Sequence, residues 1–571
     1  MDIFVKYRER IVAICAAAFP DVDAKLFEPI TAEPPKDATH GCIATNAAMV
    51  LAKPLGQNPR AVAEKISGEL KKDATIDNVE IAGPGFINLK LKNSAWFEVI
   101  NDVLKNPQTF GKANIGKGEV VNVEYVSANP TGPMHIGHAR NAVIGDVLAN
   151  ILLAVGYKVA KEYYINDAGA QVNVLAESAF LRYREALGEN IGEIPKGLYP
   201  GEYLVEVAQN FVTIHGDKFK NSEKFPQELK DFAIAEMLKL IKEDLAALNV
   251  KHDVFTSEAA LHKQNAIEKC IEFLNAHNLL YRGVLEPPKG KTPEDWEPRE
   301  QLLFKSTEFG DDVDRPLQKS DGQYTYFAGD IAYHLDKINR GFNKMVITLG
   351  ADHGGYVKRL QAVVKALSGG KASINVILSQ LVNLVENGQP VKMSKRAGNF
   401  ITMREVIDKV GAGIVRFIML TRKADAVIDF DIKKVLETTK ENPVFYVQYA
   451  HARCASAIRT AAEQGISASP ADDISVLTHP AEIELIKKIA EFPRVIRQSA
   501  IHMEPHRLPF YLYDLASNFH QLWNIGKDEN IRFIDAANPV ATKARLNLIQ
   551  SCKTVIFSGL NLLGVEAVER M

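Results

Sequence analysis

The chain lacks most of the features that would tie it to a membrane, an oxidising compartment or a metal. No apolar run approaches the ~18 residues needed to span a bilayer, and the first residues lack the basic-then-apolar layout of a secretion signal, so a cytoplasmic protein with no membrane partner is expected. The five cysteines, Cys15, Cys42, Cys270, Cys454 and Cys552, include no C-x-x-C pair. That excludes a zinc ribbon and a disulfide framework, and leaves buried thiols and no metal site. An excess of either charge is missing too: 68 basic residues face 70 acidic ones, for a net charge of −2. Sequence-blind coating of nucleic acid is thereby excluded, and any RNA partner must dock on local patches. Nor is hydrophobicity scarce: 46% hydrophobic and 24% charged residues describe an ordinary globular protein without disorder. At 571 residues the chain is too long for one core and suits about three or four domains.

What is present centres on Ser127-Ala128-Asn129-Pro130-Thr131-Gly132-Pro133-Met134-His135-Ile136-Gly137-His138. Before it, Val120 to Val126 is a β-branched run of the kind buried on both faces of a parallel sheet. After it, apolar residues recur at Ala139, Val143, Val147 and Ile151 and at Ile144, Leu148, Leu152 and Val155, a helix apolar on most of its surface that stops at Gly156. Strand, turn and helix make the first half of a βαβ unit. The helix N-terminus offers unpaired N–H groups and positive dipole to an anion. His135 and His138 enter on one face of its first turn, and Gly137 lets a ligand approach the backbone. Imidazoles there can donate to phosphate oxygens as charge develops.

Around this unit the chain falls into blocks. Residues 1–110 read as a small α+β domain, with helical patterns at Thr45 to Lys53 and Arg60 to Leu70 and a strand-like alternation from Val79 to Leu91. Residues 111–440 read as an α/β nucleotide fold. Lys158 to Ile165 is its second strand, and 175–320, helical and charge-rich, is an insertion. The sheet resumes in the strand-like Gln323 to Asp330 and in Met345 to Leu349, which ends in Gly350-Ala351-Asp352-His353-Gly354-Gly355, a turn suited to a nucleotide or its ribose. Beyond Ile374 to Ile377 and an Asn387-Gly388 hairpin turn comes Val391-Lys392-Met393-Ser394-Lys395-Arg396, a cationic loop able to close over a polyphosphate. Thr402 to Glu405 is a capping box for the next helix. Residues 441–571 carry the apolar stripes of a helical bundle, with His451, Arg453 and Arg459 as exposed candidates to meet RNA.

His135-Ile136-Gly137-His138 with Lys392-Met393-Ser394-Lys395 resembles the paired signatures of class I aminoacyl-tRNA synthetases. Ser127 to Pro133, Gly41 to Asn46, and Asn442-Pro443-Val444-Phe445-Tyr446-Val447-Gln448-Tyr449-Ala450-His451-Ala452-Arg453 look specifically like the bacterial arginyl enzymes, and the likeness runs through nearly the whole chain. The resemblance implies a Rossmann-type catalytic domain with a helical insertion, an α+β N-terminal domain leaning on the tRNA elbow, and an all-α bundle reading the anticodon. It implies ATP, carried with Mg2+, as cofactor, and L-arginine and tRNA(Arg) as partners of a monomer. His135, His138, Lys392 and Lys395 would be catalytic. ATP would lie against His135, Gly137, His138, Gly350, Asp352, His353 and Lys392, Met393, Ser394, Lys395 and Arg396. Arginine would be held by Glu124, Ser127, Asn129, Tyr326 and Asp330, the carboxylates accepting forked hydrogen bonds from the guanidinium.

Two rivals remain at this stage. A small-molecule nucleotidyltransferase would have no use for the terminal blocks, and a silent tRNA-binding paralogue would have lost signature residues that this chain keeps. Another amino-acid specificity is the nearest enzymatic alternative. If the signatures act on the phosphates, His138→Ala or Lys395→Ala should lower turnover in adenylate formation by ~100-fold or more with smaller changes in arginine affinity; a raised arginine KM at unchanged turnover would overturn this. The resemblance also implies activation only with tRNA bound, although this chain has the second motif lysine that many arginyl enzymes lack. Pyrophosphate exchange without tRNA should therefore be negligible, and robust exchange would reject the dependence.

Overall fold

The fold is taken from a computed structural model that describes residues 1–285, 299–386, 389–390, 401–439, 441–529 and 531–571. Asn387-Gly388 and the Lys392 to Arg396 loop fall outside the described residues.

The chain begins with a helix, Ile3–Ala18, and a four-stranded antiparallel sheet in the order β1-β2-β4-β3, formed by β1 (Ala32–Glu33), β2 (Ile43–Thr45), β3 (Ile76–Ala82) and β4 (Phe86–Leu91). The alternation from Val79 to Leu91 is thus two strands. Gly83 and Gly85, at φ of 53° and 142°, make the reversal that an L side chain would resist.

Three parallel strands follow: β5 (Val120–Glu124), β6 (Lys158–Ile165) and β7 (Val254–Ser257). Beyond a small antiparallel sheet of β8 (Leu280–Gly283), β9 (Gln301–Phe304) and β10 (Arg315–Gln318), the chain returns as β11 (Lys344–Gly350) and β12 (Ser373–Ser379). The five central strands lie in the order β12-β11-β5-β6-β7. The chain runs outward on one side of β5 and then resumes on the other, so the crevice between the C-terminal ends of β5 and β11 is the topological switch point at which open sheets hold ligands.

Two expectations are corrected here. The stretch 175–320 is not uniformly helical. After the helices Tyr203–His215 and Gln227–Ala247, it gives β7 back to the central sheet and then forms the antiparallel sheet. Gln323 to Asp330 is not a strand, because Tyr326–Asn339 is a helix. Its aromatic residues suggest extended chain, yet Phe327, Ala328, Ile331, Ala332 and Leu335 are buried at helical spacing, and packing overrides propensity.

A last sheet joins β13 (Val382–Glu386) to β14 (Gln389–Pro390) and β15 (Ile428–Asp431). Thr402 then opens a helix with reciprocal bonds to Glu405, as its capping-box pattern predicts. The C-terminal part consists of the helices Pro443–Glu463, Pro480–Ala490, Phe492–His502, Arg507–Asp528 and Pro539–Leu563. Their expected stripes are buried, among them Leu485, Ile489, Ile496, Phe519, Ile549 and Ile556. His451 is buried too, its Nδ1 2.8 Å from the Val568 carbonyl, so it is a packing residue rather than an exposed RNA contact. No helix among the described residues is long and apolar enough to cross a membrane.

The Ile136–Ala154 helix, apolar nearly all round, lies buried under the sheet with three polar side chains, Arg140, Asn141 and Asp146. Each has partners. Arg140 donates to the Gln380 and Lys423 carbonyls, both at 2.8 Å. Asp146 pairs with Lys161 at 2.8 Å and with the fully buried Arg416. Arg416 also donates to the carbonyls of Leu563 at 2.6 Å, Asn249 at 3.0 Å and Leu248 at 3.1 Å. The two cations hold the Asp146 carboxyl below the ordinary aspartate range although burial pushes the other way. Removing the guanidinium would leave Asp146 with Lys161 alone and take a donor from each of three carbonyls, so Arg416→Met should destabilise the protein by about 3–5 kcal/mol, read as a lower unfolding midpoint in denaturant. An unchanged midpoint would show that water replaces the guanidinium.

Candidate active site

β5 ends at Glu124, and the backbone then turns sharply. Val126 and Ser127 adopt φ of 69° and 41°, the left-handed region that costs a β-branched residue most. Neighbours hold the turn in place. The Val126 N–H donates to Asn141 Oδ1 at 2.7 Å, while Asn141 binds Thr348 of β11 through its amide at 3.1 Å and accepts the Thr348 hydroxyl at 2.6 Å. Ser127 Oγ donates to Glu124 at 3.1 Å and accepts the Tyr164 N–H at 3.0 Å. Further along, Tyr163 donates to the Ala128 carbonyl and Tyr203, from the inserted helices, to that of Thr131, each at 2.8 Å.

The turn delivers His135 as the cap of the Ile136–Ala154 helix. Its Nδ1 accepts the Gly137 N–H at 3.2 Å, and its own N–H donates to His138 Nδ1 at 3.2 Å. With both Nδ1 atoms accepting, each ring carries its proton on Nε2. The rings stack 3.8 Å apart. Thr402, which follows the undescribed loop directly after Ile401, pairs antiparallel with His135, and Met403 N–H donates to the Met134 carbonyl at 2.7 Å. The chain therefore leaves that loop against the histidine turn.

A cleft of about 830 Å³ opens at this point. It is lined by all the predicted site residues that are described: Glu124, Ser127, Asn129, His135, Gly137, His138, Tyr326, Asp330, Gly350, Asp352 and His353. Tyr326 is 72% exposed at its rim. Asp352 and His353 are also open to solvent, and Asn129 donates to Gln171 at 2.8 Å. The predicted residues Lys392, Met393, Ser394, Lys395 and Arg396 lie outside the described residues.

The floor of the cleft is acidic. Glu124 is 4% exposed and ion-paired with Lys337, whose side chain is buried beneath it. Asp330, half-buried in the first turns of the Tyr326–Asn339 helix, has its pKa pushed up to about 7 by burial and then by Glu258 and Glu124, against a smaller opposing pull from Arg359. Glu258, at the end of β7, is likewise raised by burial and by Asp167, although His262 opposes the shift. Two buried atoms of the cleft lining have no hydrogen-bond partner among the described residues, Glu258 Oε2 and His334 Nε2. His334 Nδ1 lies 2.7 Å from the Asp330 carbonyl and so donates to it, leaving Nε2 an acceptor; burial lowers its pKa to about 4, so the ring stays neutral. His334 Nε2 is thus an acceptor, and Glu258 Oε2 is one when its carboxyl is ionised.

Glu258, His334 and Lys337 were not singled out from the sequence. Glu258 follows the last residue of a parallel strand, where ligand-facing polar groups belong, but that strand was read as part of a helical insertion. His334 and Lys337 follow Asp330 at helical spacing, four and seven residues on, a pattern invisible while the segment was read as a strand.

An open parallel sheet with a histidine-capped helix at its switch point, carried between an α+β block and a helical bundle, is the arrangement that the resemblance to class I aminoacyl-tRNA synthetases implies. Four family descriptions match successive stretches: arginyl tRNA synthetase N terminal domain over 6–91, tRNA synthetases class I (R) catalytic domain over 99–279, tRNA synthetases class I (I, L, M and V) over 329–433, and DALR anticodon binding domain over 447–571. Arginine--tRNA ligase of Rhizobium etli is 55% identical over 95% of each chain, and that of Brucella abortus is 54% identical over the full length of both. The solved Thermus thermophilus arginyl-tRNA synthetase, 21% identical, shares the fold over 99% of this chain and 100% of its own with a TM-score of 0.75. The chain belongs to the arginyl-tRNA synthetase family.

Proposed function

We infer that the protein charges tRNA(Arg) with L-arginine at the expense of ATP, for translation, acting as a cytoplasmic monomer. The observation that carries this reading is the cleft itself, which joins a helix N-terminus with two imidazoles to a floor bearing the carboxyl groups of Glu124, Asp330 and Glu258. Arginine brings the complement: a permanently charged, planar side chain that only donates. Glutamate would be repelled, and glutamine would leave buried carboxylates unpaired.

In the first step the arginine carboxylate attacks the ATP α-phosphorus, a P–O bond forms to arginine, and the bond to pyrophosphate breaks with its electron pair. In the second, a hydroxyl of the terminal adenosine of tRNA attacks the arginyl carbonyl and AMP leaves. Phosphoryl transfer is served by positioning and charge stabilisation more than by a general base. The Nε2–H groups of His135 and His138, together with the helix dipole, would hold the phosphates, Gly137 letting them approach the backbone. Lys392, Lys395 and Arg396, flanked by Met393 and Ser394, would close from the opposite side; support comes from Thr402, which pairs with His135 just beyond them. Gly350, Asp352 and His353 would receive the nucleoside. Glu124, Asp330 and Tyr326 would take the guanidinium with Glu258 beside them, and Ser127 and Asn129 the amino-acid backbone. Mg2+ would arrive with ATP. Among the described residues no group of three or more His, Cys, Asp or Glu side chains is arranged to hold a metal ion.

Charging assays with each proteinogenic amino acid test the reading, with arginine alone expected to react. A pH dependence follows from Asp330. Guanidinium prefers the ionised carboxylate, and this group gains its proton as the pH falls through about 7. kcat/KM for arginine should therefore climb up to tenfold per unit as pH rises toward 7 and level off above it, while the KM for ATP follows no such limb. Asp330→Ala should lower kcat/KM for arginine by ~2–5 kcal/mol with ATP binding nearly intact. An equal loss for both substrates would place Asp330 outside the specificity pocket.

A further inference from the structure

We propose that Lys337 is a positioning residue for arginine selection: a built-in cation that holds the Glu124 carboxylate in place, so that Glu124 meets the guanidinium of the substrate together with the other acidic groups of the cleft. This rests on the reading of the cleft as the arginine site. The Lys337 side chain is only 1% exposed, and its ammonium pairs with Glu124 Oε2 while lying 4.4 Å from the centre of the Tyr333 ring. A buried lysine is costly to keep charged unless its partner repays the lost hydration. A mere space-filler would be apolar at this position.

The surrounding groups show why the cation is needed. The other buried carboxylate beneath the cleft, Glu162 of β6, is already taken: Arg340 grips it through contacts of 2.8 and 3.1 Å, and Tyr333, Thr256 and Asn122 donate to it. Lys337 is therefore the cation directly bonded to Glu124. Glu258 from the end of β7 and Asp330 from the same helix face the cleft, with Arg359 acting on Asp330 from the helix Val357–Leu367. Asp167 bears on Glu258 from the loop after β6, and His262 opposes it. Tyr164 and His334 complete the shell; burial keeps the phenol protonated and the imidazole neutral. Three carboxylates around one cleft cannot all ionise uncompensated. With Lys337 offsetting part of this charge, one arriving guanidinium meets Glu124, Asp330 and Glu258. Without Lys337, Glu124 would bear more strongly on Asp330, which would hold its proton to higher pH.

The test follows the acid limb of kcat/KM for arginine in full-length enzyme, by tRNA charging from about pH 6 to about pH 9. For Lys337→Met the limb should move up by about one unit, giving ~10-fold lower kcat/KM near neutrality that recovers in alkali, with the KM for ATP within ~2-fold of wild type. Lys337→Arg should keep the wild-type limb. A loss equal at every pH, a parallel rise in the KM for ATP, or an arginine variant that behaves like methionine would overturn the proposal. Should Lys337→Met fail to fold, Lys337→Gln, polar but uncharged, should move the limb up in the same way. An unchanged or lowered limb in that variant, or no limb at all in wild type, would also overturn it. Wild-type enzyme inactive with arginine would instead reject the reading of the cleft.

Discussion

The structure depends on one buried ion pair, Asp146 with Arg416. Asp146 sits midway along the helix that carries both signature histidines, and Arg416 reaches it from the segment that leads into the bundle. A single pairing would be a weak stabiliser, since two desolvated charges roughly break even against an apolar substitute. Arg416, however, spends its other donors on carbonyls at Leu248, Asn249 and Leu563, and Gly564 lies so close that a Cβ there would collide with the guanidinium. The end of an inserted helix, the end of the last helix and the signature helix thus meet on one side chain. Its removal would release all three at once. The orientation of the His135 turn is in this sense a property of the whole chain.

Buried charge is handled in two ways on either side of that helix. Outside the cleft lining, Asp146 has Arg416 and Lys161, and Glu162 has Arg340. At the cleft the compensation is deliberately incomplete. Glu124 has Lys337, but Asp330 carries a raised pKa and Glu258 an oxygen without a partner among the described residues. Because the folded pKa of Asp330 lies above that of an unfolded aspartate, its ionisation works against the folded state at neutral pH. Strain of this kind belongs where a ligand relieves it, and a guanidinium is the ligand that would.

Much of this was legible in the sequence, and what was not has a physical reason. β6 was read to the residue, because a strand bounded by a helix cap and a polar loop has clear ends. The bundle stripes and the Thr402 capping box were equally plain, since their signals are local. Tyr324 to Phe327 misled because aromatic residues favour strands, whereas the decisive evidence for a helix lies further on, in the spacing of Ile331, Ala332 and Leu335. His451 looked exposed for want of knowing that the chain end returns over it at Val568. Lys337 reads as an ordinary basic residue in the last turn of a helix. Its pairing with Glu124 joins residues 213 apart, which no local pattern can report.

The turn after β5 shows how the cleft and the scaffold are tied together. Two consecutive left-handed residues, one of them valine, cost on the order of 1–3 kcal/mol each, and such backbone persists only where its surroundings over-determine it. Here the determinants come from three directions: Asn141 from the signature helix, Thr348 from β11 through that amide, and the Tyr164 N–H from β6. What the strain achieves is local. It turns Ser127 back so that its hydroxyl bridges Glu124 and β6, which engages Glu124 Oε1 just as Lys337 engages Oε2. A carboxylate gripped at both oxygens has little rotamer freedom left to lose when a substrate arrives, so less of the binding energy is spent on ordering it. The same turn sets the direction in which the chain runs on to His135. The floor of the cleft and the helix cap that would face the phosphates are therefore positioned by one short piece of strained backbone.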